Sequence, residues 1–177
     1  MRYIIILLIG VYSSMYTFSQ QQNEGFFNAA YLQLSEVPRG TLEAVSFTNT
    51  RMVEIKSTDV NSCSGLPLPY GIMGVFDDGK NYFLENGKLI GKLSGISISQ
   101  QRVSIEMQIL AYGIALDSVM KLSLDKGLKI EERLRVALLE LSEIPKLGAV
   151  NDFARNSFAL EVFRRLNEVS FATLHHF

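Results

Sequence analysis

The chain has 177 residues, 47% hydrophobic and 20% charged, which is a globular composition and fits one domain. Its formal net charge of −1 gives no general electrostatic affinity for nucleic acid or for an anionic membrane surface. A nucleic-acid partner is therefore not expected.

The first stretch reads as targeting rather than fold. Arg2 makes a small positive start, Ile4 to Val11 form an apolar run, and Ser13 to Ser19 turn polar, with Thr17 and Ser19 as small residues suited to a cleavage site. This is the form of a secretory signal peptide over residues 1–19, and its apolar core is too short to span a bilayer. The rival reading is a buried first helix. No Cys lies near the cleavage site, so a lipid anchor is not expected, and no later apolar run is long enough for a membrane span.

The domain left by cleavage would be residues 20–177. Its single Cys63 cannot form an intramolecular bridge, so core packing must hold the domain together. Cys63 has no His near it in sequence, which argues against a nucleophilic thiol. The only two, His175 and His176, sit at the end of the chain, a poor place for a metal site. No metal or cofactor is expected.

Asn23 to Leu34 reads as a helix, with Phe26, Phe27, Ala30, Tyr31 and Leu34 at helical spacing. Val37-Pro38 breaks it, because a residue before Pro is pushed out of the α region, and Pro38 then suits the first turn of a second helix. That helix runs to about Thr50, with Leu42, Val45 and Asn49 along one side. Arg51 to Pro69 is a loop by composition, in which Met52 to Lys56 alternates apolar and polar residues like a short strand.

Asp77-Asp78-Gly79-Lys80 can cap a third helix carrying Tyr82, Phe83, Leu89, Ile90 and Leu93 and ending at Ser94-Gly95. Gly87 and Gly91 weaken it by roughly 1 kcal/mol each relative to Ala. The clearest helix follows, with Ile105, Ile109, Tyr112, Leu116, Val119 and Met120 on one stripe. Glu131 to Leu141 makes another, with Leu134, Leu138 and Leu141 inward. Val150 to Val169 is the last, with Ala154, Phe158, Val162, Leu166 and Val169 along one side. Helix after helix with short connections argues for an all-α single domain with at most a small β-hairpin. The related words Leu34–Arg39 and Leu141–Lys146 are both helix-to-Pro junctions, and their flanks do not match.

Several words together suggest a family. Leu-Glu-Ala-Val-Ser-Phe-Thr-Asn-Thr-Arg at Leu42–Arg51 and Tyr-Gly-Ile-Met-Gly at Tyr70–Gly74 resemble the lysozyme-like fold of bacterial lytic transglycosylases and goose-type lysozymes. In that superfamily a helix ends in Glu-Ser, a Gly-Leu-Met-Gln turn closes the floor of the glycan groove, and a later helix carries an Asn-Ile pair. The Glu position falls on Asn49, the Ser on Thr50, and the next two on Arg51 and Met52. The turn falls on Gly71 to Gly74, the Asn-Ile pair on Gln108 and Ile109, and a later Tyr-Asn pair around Leu141 and Ser142.

A closer likeness is to the amino-terminal regions of secreted N-acetylmuramoyl-L-alanine amidases of Bacteroidetes-type bacteria. It runs from Glu36 to about Tyr112 and includes the Ser-Cys-x-Gly-Leu-Pro loop and Asp-Gly-Lys-Asn-Tyr-Phe. The resemblance implies a secreted or periplasmic protein in the cell envelope of a Gram-negative bacterium. Its expected partners are peptidoglycan glycan strands and a zinc amidase domain or protein, although this chain has no set of His ligands for such a domain.

The departures bear on the chemistry. A transglycosylase Glu protonates the glycosidic oxygen and later accepts a proton, whereas the Asn49 amide cannot donate a proton to a leaving group. Glu43, six residues earlier, points roughly 120° away around the helix. Candidate substitute acids are Glu54, in the loop, and Asp77, whose plainer reading is a helix N-terminal acid. The resemblance makes Asn49, Thr50, Arg51, Tyr70, Gly71, Met73 and Gln108 the expected binding groove. Tyr70 and Tyr112 suit sugar stacking, though Tyr112 also lies on the apolar stripe. Arg51 would pair with a ligand carboxylate, or with Glu54 or Asp59.

Three functions follow as expectations. The first is a peptidoglycan-binding module without catalysis, associated with an amidase system. The second is an active glycan-strand hydrolase or lytic transglycosylase with a non-standard acid. The third is an envelope interaction domain whose groove would be filled by apolar side chains.

Overall fold

The computed structural model describes residues 23–56, 69–77, 85–124 and 127–176. The targeting stretch, Cys63, most of the polar loop including Asp59, and the Asp78 to Phe83 segment lie outside the described residues. Eight helices are present among those described, and strand structure is confined to isolated bridges, so the fold is all-α. They are α1 (residues 23–31), α2 (Thr41–Thr50), α3 (Asn86–Ser94), α4 (Ile98–Val103), α5 (Ile105–Lys121), α6 (Ile130–Leu141), α7 (Ala149–Leu166) and α8 (Val169–Leu174). No helix among the described residues is long and apolar enough to cross a membrane.

Helix α5 is the axis of the fold. Its expected stripe is buried except for half-buried Ile105, and Ala111, Gly113 and Ala115 are buried as well, so the helix is enclosed on most sides. Small residues there let neighbours approach, and α2, α3, α4 and α6 all pack on it. Ser104 caps it, its Oγ accepting from the Met107 N–H at 3.2 Å. Helix α2 lies between α5 and α7, burying Leu42, Ala44 and Val45 completely.

The bend between α1 and α2 is fixed by charge. Asp117 of α5 accepts the Ser35 and Glu36 N–H groups at 2.9 and 2.7 Å, and Glu36 meets Arg133 of α6 at 2.7 Å. These long-range bonds satisfy backbone donors that the Pro38 junction leaves outside any helix.

The third helix described runs Asn86–Ser94 with Glu85 before it, and Asp77 pairs with Arg102; the expected start over Asp78 to Phe83 lies outside the described residues. Three expectations need correction. The last helix divides at Asn167 and Glu168, which leaves Val169 exposed on a separate turn, α8. Helix α4 was not foreseen; six residues are too few to show a period. The Met52–Lys56 strand reduces to a single bridge between Ile55 and Gly71.

Candidate functional site

The end of α2 is stitched to a tight turn. Tyr70 and Val75 exchange N–H···O bonds of 2.9 and 3.2 Å around Gly71, Ile72, Met73 and Gly74. Ile72 and Met73 are fully buried, so their backbone groups need protein partners. Ser46 Oγ donates to the Ile72 carbonyl at 2.9 Å, and Thr50 Oγ1 lies 2.7 Å from the same oxygen. Asn49 Nδ2 donates to the Met73 carbonyl, and the Met73 N–H donates to Gln108 Oε1, both at 2.9 Å. Positions 46, 49 and 50 share one helix face, which explains three polar residues on the side of α2 that meets the turn.

Both turn glycines are dictated by geometry. Gly74 has φ +64°, and a Cβ there would sit 2.6 Å from Asn49 Cβ. Gly71 has φ +67°, and a Cβ there would sit 2.0 Å from Gln108 Nε2. Only glycine lets the turn come this close to α2 and α5.

Two clefts flank this turn. The first, about 450 Å³, is lined by Thr48, Asn49, Gly74, Phe76 and Pro69 from the α2 and turn side. Asn86, Tyr112, Ser142 and Ile144, with Ala154, Ser157, Phe158 and Glu161 of α7, complete it. The second, about 290 Å³, lies across Tyr70 and Gly71 and is lined by Glu54, Ile55, Lys56, Gln101, Arg102, Ser104, Ile105 and Gln108.

The Asn49 cleft is lined by amides and hydroxyls among aromatic and aliphatic walls. Its one lining carboxylate among the described residues is Glu161. The Arg164 guanidinium, with Arg165 beside it, holds that carboxyl down at about 2. Glu161 is thus ionised throughout the ordinary pH range, the opposite of what a general acid requires. Glu143, between the lining residues Ser142 and Ile144, differs. Burial pushes its pKa up, Glu85 and Glu140 add to the effect, and its Oε2 is buried without a partner among the described residues.

The expected groove residues are divided by the fold. Asn49 lines the first cleft, while Tyr70, Gly71, Gln108 and Glu54 line the second. Thr50 and Met73 are buried in the seam between the turn and α2. Arg51 lies outside both; it folds back to donate to the Phe47 carbonyl at 2.8 Å and lies over the Phe47 ring, 4.9 Å from its centroid. Asp77 pairs with Arg102, whose guanidinium covers the Tyr70 ring at 4.9 Å, so that face of the ring is already taken. Burial, together with the Asp77 charge, pushes the Tyr70 hydroxyl up to about 12. Glu43 is turned to the Tyr31 hydroxyl at 2.7 Å, away from Asn49's place, and burial raises its pKa.

Residues missed in the sequence include Asn86, Ser157, Phe158, Glu161 and Arg102. Asn86 was hidden because the helix was expected to start earlier. No group of three or more potential metal ligands occurs among the described residues. Comparison with family models, with curated proteins and with solved structures gave no match.

Proposed function

We propose that this chain is an exported peptidoglycan-binding module that holds glycan strands in the Asn49 cleft without cleaving them. It would serve as the wall-targeting part of an N-acetylmuramoyl-L-alanine amidase system. The observation that carries this reading is the state of the Asn49 cleft. Where the resemblance calls for a general acid stands an amide bound to the Met73 carbonyl, and the lining carboxylate is pinned as an anion by two arginines. The cleft's open volume favours binding over a purely structural role. The test is sedimentation with purified peptidoglycan, in which the protein should co-sediment; recovery in the supernatant would count against the reading.

A second reading rests on Glu143, whose carboxyl lies beside the cleft with a buried, unpartnered Oε2 among the described residues and whose pKa is raised by burial, as a proton donor requires. In that reading the chain is a glycan-strand hydrolase or lytic transglycosylase. Soluble muropeptide release from intact sacculi, abolished in Glu143→Gln, would establish it. Absence of release would remove it.

A further inference from the structure

The smaller cleft, about 290 Å³ across Tyr70 and Gly71, has an unsatisfied interior. Two of its lining residues are deeply buried, Gln101 at 2% and Tyr70 at 8% exposure. Gln101 donates from Nε2 to the Ile96 carbonyl at 2.8 Å, which settles the orientation of its amide and leaves Oε1 as an acceptor. That Oε1 and the Tyr70 hydroxyl are both buried and have no hydrogen-bond partner among the described residues. Such atoms are uncommon because each costs free energy until a partner arrives, and here two of them belong to one cleft.

Helix α3 sets how far apart they stand. A Cβ on Gly87 would meet the Tyr70 hydroxyl at 3.0 Å, and one on Gly91 would meet Gln101 Nε2 at 3.4 Å. These glycines are one helical turn apart, about 6 Å along the axis, and the two unpartnered groups are separated by a distance of that order. Their surroundings differ in charge. The Arg102 guanidinium stands beside the Tyr70 hydroxyl, which burial keeps protonated with its pKa pushed up to about 12, so this end donates and favours an anion. Asp77, paired with Arg102, offsets part of that positive charge. Gln101 Oε1 can only accept, and at the rim Glu54 adds an anion and Lys56 a cation. Ile55 and Ile105, both partly buried, supply apolar wall.

We infer that this cleft binds a free α-amino acid with an aliphatic side chain. Its ammonium donates to Gln101 Oε1 and is balanced by Glu54, its carboxylate accepts from the Tyr70 hydroxyl beside Arg102, and its side chain rests on Ile55 and Ile105. The short span selects a ligand whose two charges share one carbon, because a dipeptide sets them about 3.5 Å further apart. The inference is independent of the glycan reading, which concerns the Asn49 cleft.

The test is titration calorimetry of the purified protein with L-leucine and three analogues. L-leucinamide lacks the carboxylate, N-acetyl-L-leucine lacks the ammonium, and L-leucyl-L-leucine separates the two. Tyr70→Phe removes a hydroxyl that accepts no protein donor and should leave the unfolding temperature unchanged or raised. Glu54→Gln alters an exposed side chain and leaves the buried pair intact. Leucine should bind at least about tenfold tighter than each analogue, and should weaken about tenfold in Tyr70→Phe and about threefold in Glu54→Gln. Absence of leucine binding overturns the inference, as does equal or tighter binding of any analogue, or undiminished binding by either folded variant. Both variants should keep the wild-type retention on peptidoglycan, so failure here leaves the glycan reading standing.

Discussion

The side-chain amide of Asn49 donates to the carbonyl oxygen of Met73 at 2.9 Å, joining the last turn of α2 to a turn 24 residues further along the chain. The same residue lines the larger cleft, so one side chain both fixes the floor and presents an acceptor to it. Asn49→Asp replaces the donor by a carboxylate facing a carbonyl. It should cost about 1–3 kcal/mol of stability, read as a lowered urea midpoint at unchanged slope.

Gly74→Ala should be worse. It places a Cβ 2.6 Å from Asn49 Cβ at a φ of +64° that L residues rarely adopt. Strain and overlap together should cost at least about 2 kcal/mol. Gly25→Ala is the contrasting control: it lies in α1 with nothing within 4 Å of an added Cβ, and should gain roughly 0.5–1 kcal/mol. A loss at Gly25 comparable with that at Gly74 would show that close approach is not what selects glycine in the turn.

Asp117 ties the α1–α2 bend to α5. Burial works against its charge, yet Lys121 and the Glu36 and Ser35 amides hold its pKa below the ordinary aspartate value. Its stabilisation is therefore complete above about pH 4 and lost as the pH falls through the folded pKa. Asp117→Ala, which leaves both N–H groups without their acceptor, should cost about 2–3 kcal/mol at neutral pH. The deficit relative to wild type should shrink in acid, as followed by equilibrium denaturation.

His175 gives a dependence in a different window. It is buried against Phe171, with ring centroids 4.4 Å apart, and burial lowers its pKa, with His176 acting the same way and Glu24 opposing. A lowered folded pKa means that the unfolded chain takes up the proton first. Stability from this group is full above about pH 6.5 and declines as the pH falls toward the folded pKa. His175→Phe should remove that part of the decline between about pH 7 and pH 5.5, measured as the difference in thermal midpoint between the two proteins. Parallel midpoints across the range would show that His175 contributes nothing.

Much of the helical layout was legible because burial imposes a period. The α5 stripe from Ile109 to Met120 and the inward Leu134, Leu138 and Leu141 of α6 are buried as the spacing required. Helix α4 had no period to read, yet Ser97 and Gln100 form a capping box with backbone–side-chain bonds of 3.0 and 3.4 Å. That Ser-x-x-Gln signature was in the sequence, and its local chemistry was the usable signal.

The site was only half legible. The meeting of α2 with the glycine turn was expected only through the family resemblance, and what each side chain does there depended on partners distant in sequence. Arg51 turns back on its own helix, where the Phe47 carbonyl accepts from it and the Phe47 ring lies beneath it. Arg165 of α7 takes the same ring at 4.4 Å, a contact between residues 118 positions apart that no local pattern announces. Glu161 and Asn86 likewise enter the cleft only through the packing of α7 and the start of α3.

The most direct measurement incubates the protein with purified sacculi and follows, in one sample, the protein retained on the pellet and the muropeptides released into solution. Binding through a cleft whose lining carboxylate is held ionised predicts retention with no release above the no-protein control at any pH near neutrality. Release of muropeptides, or failure to be retained, would contradict it.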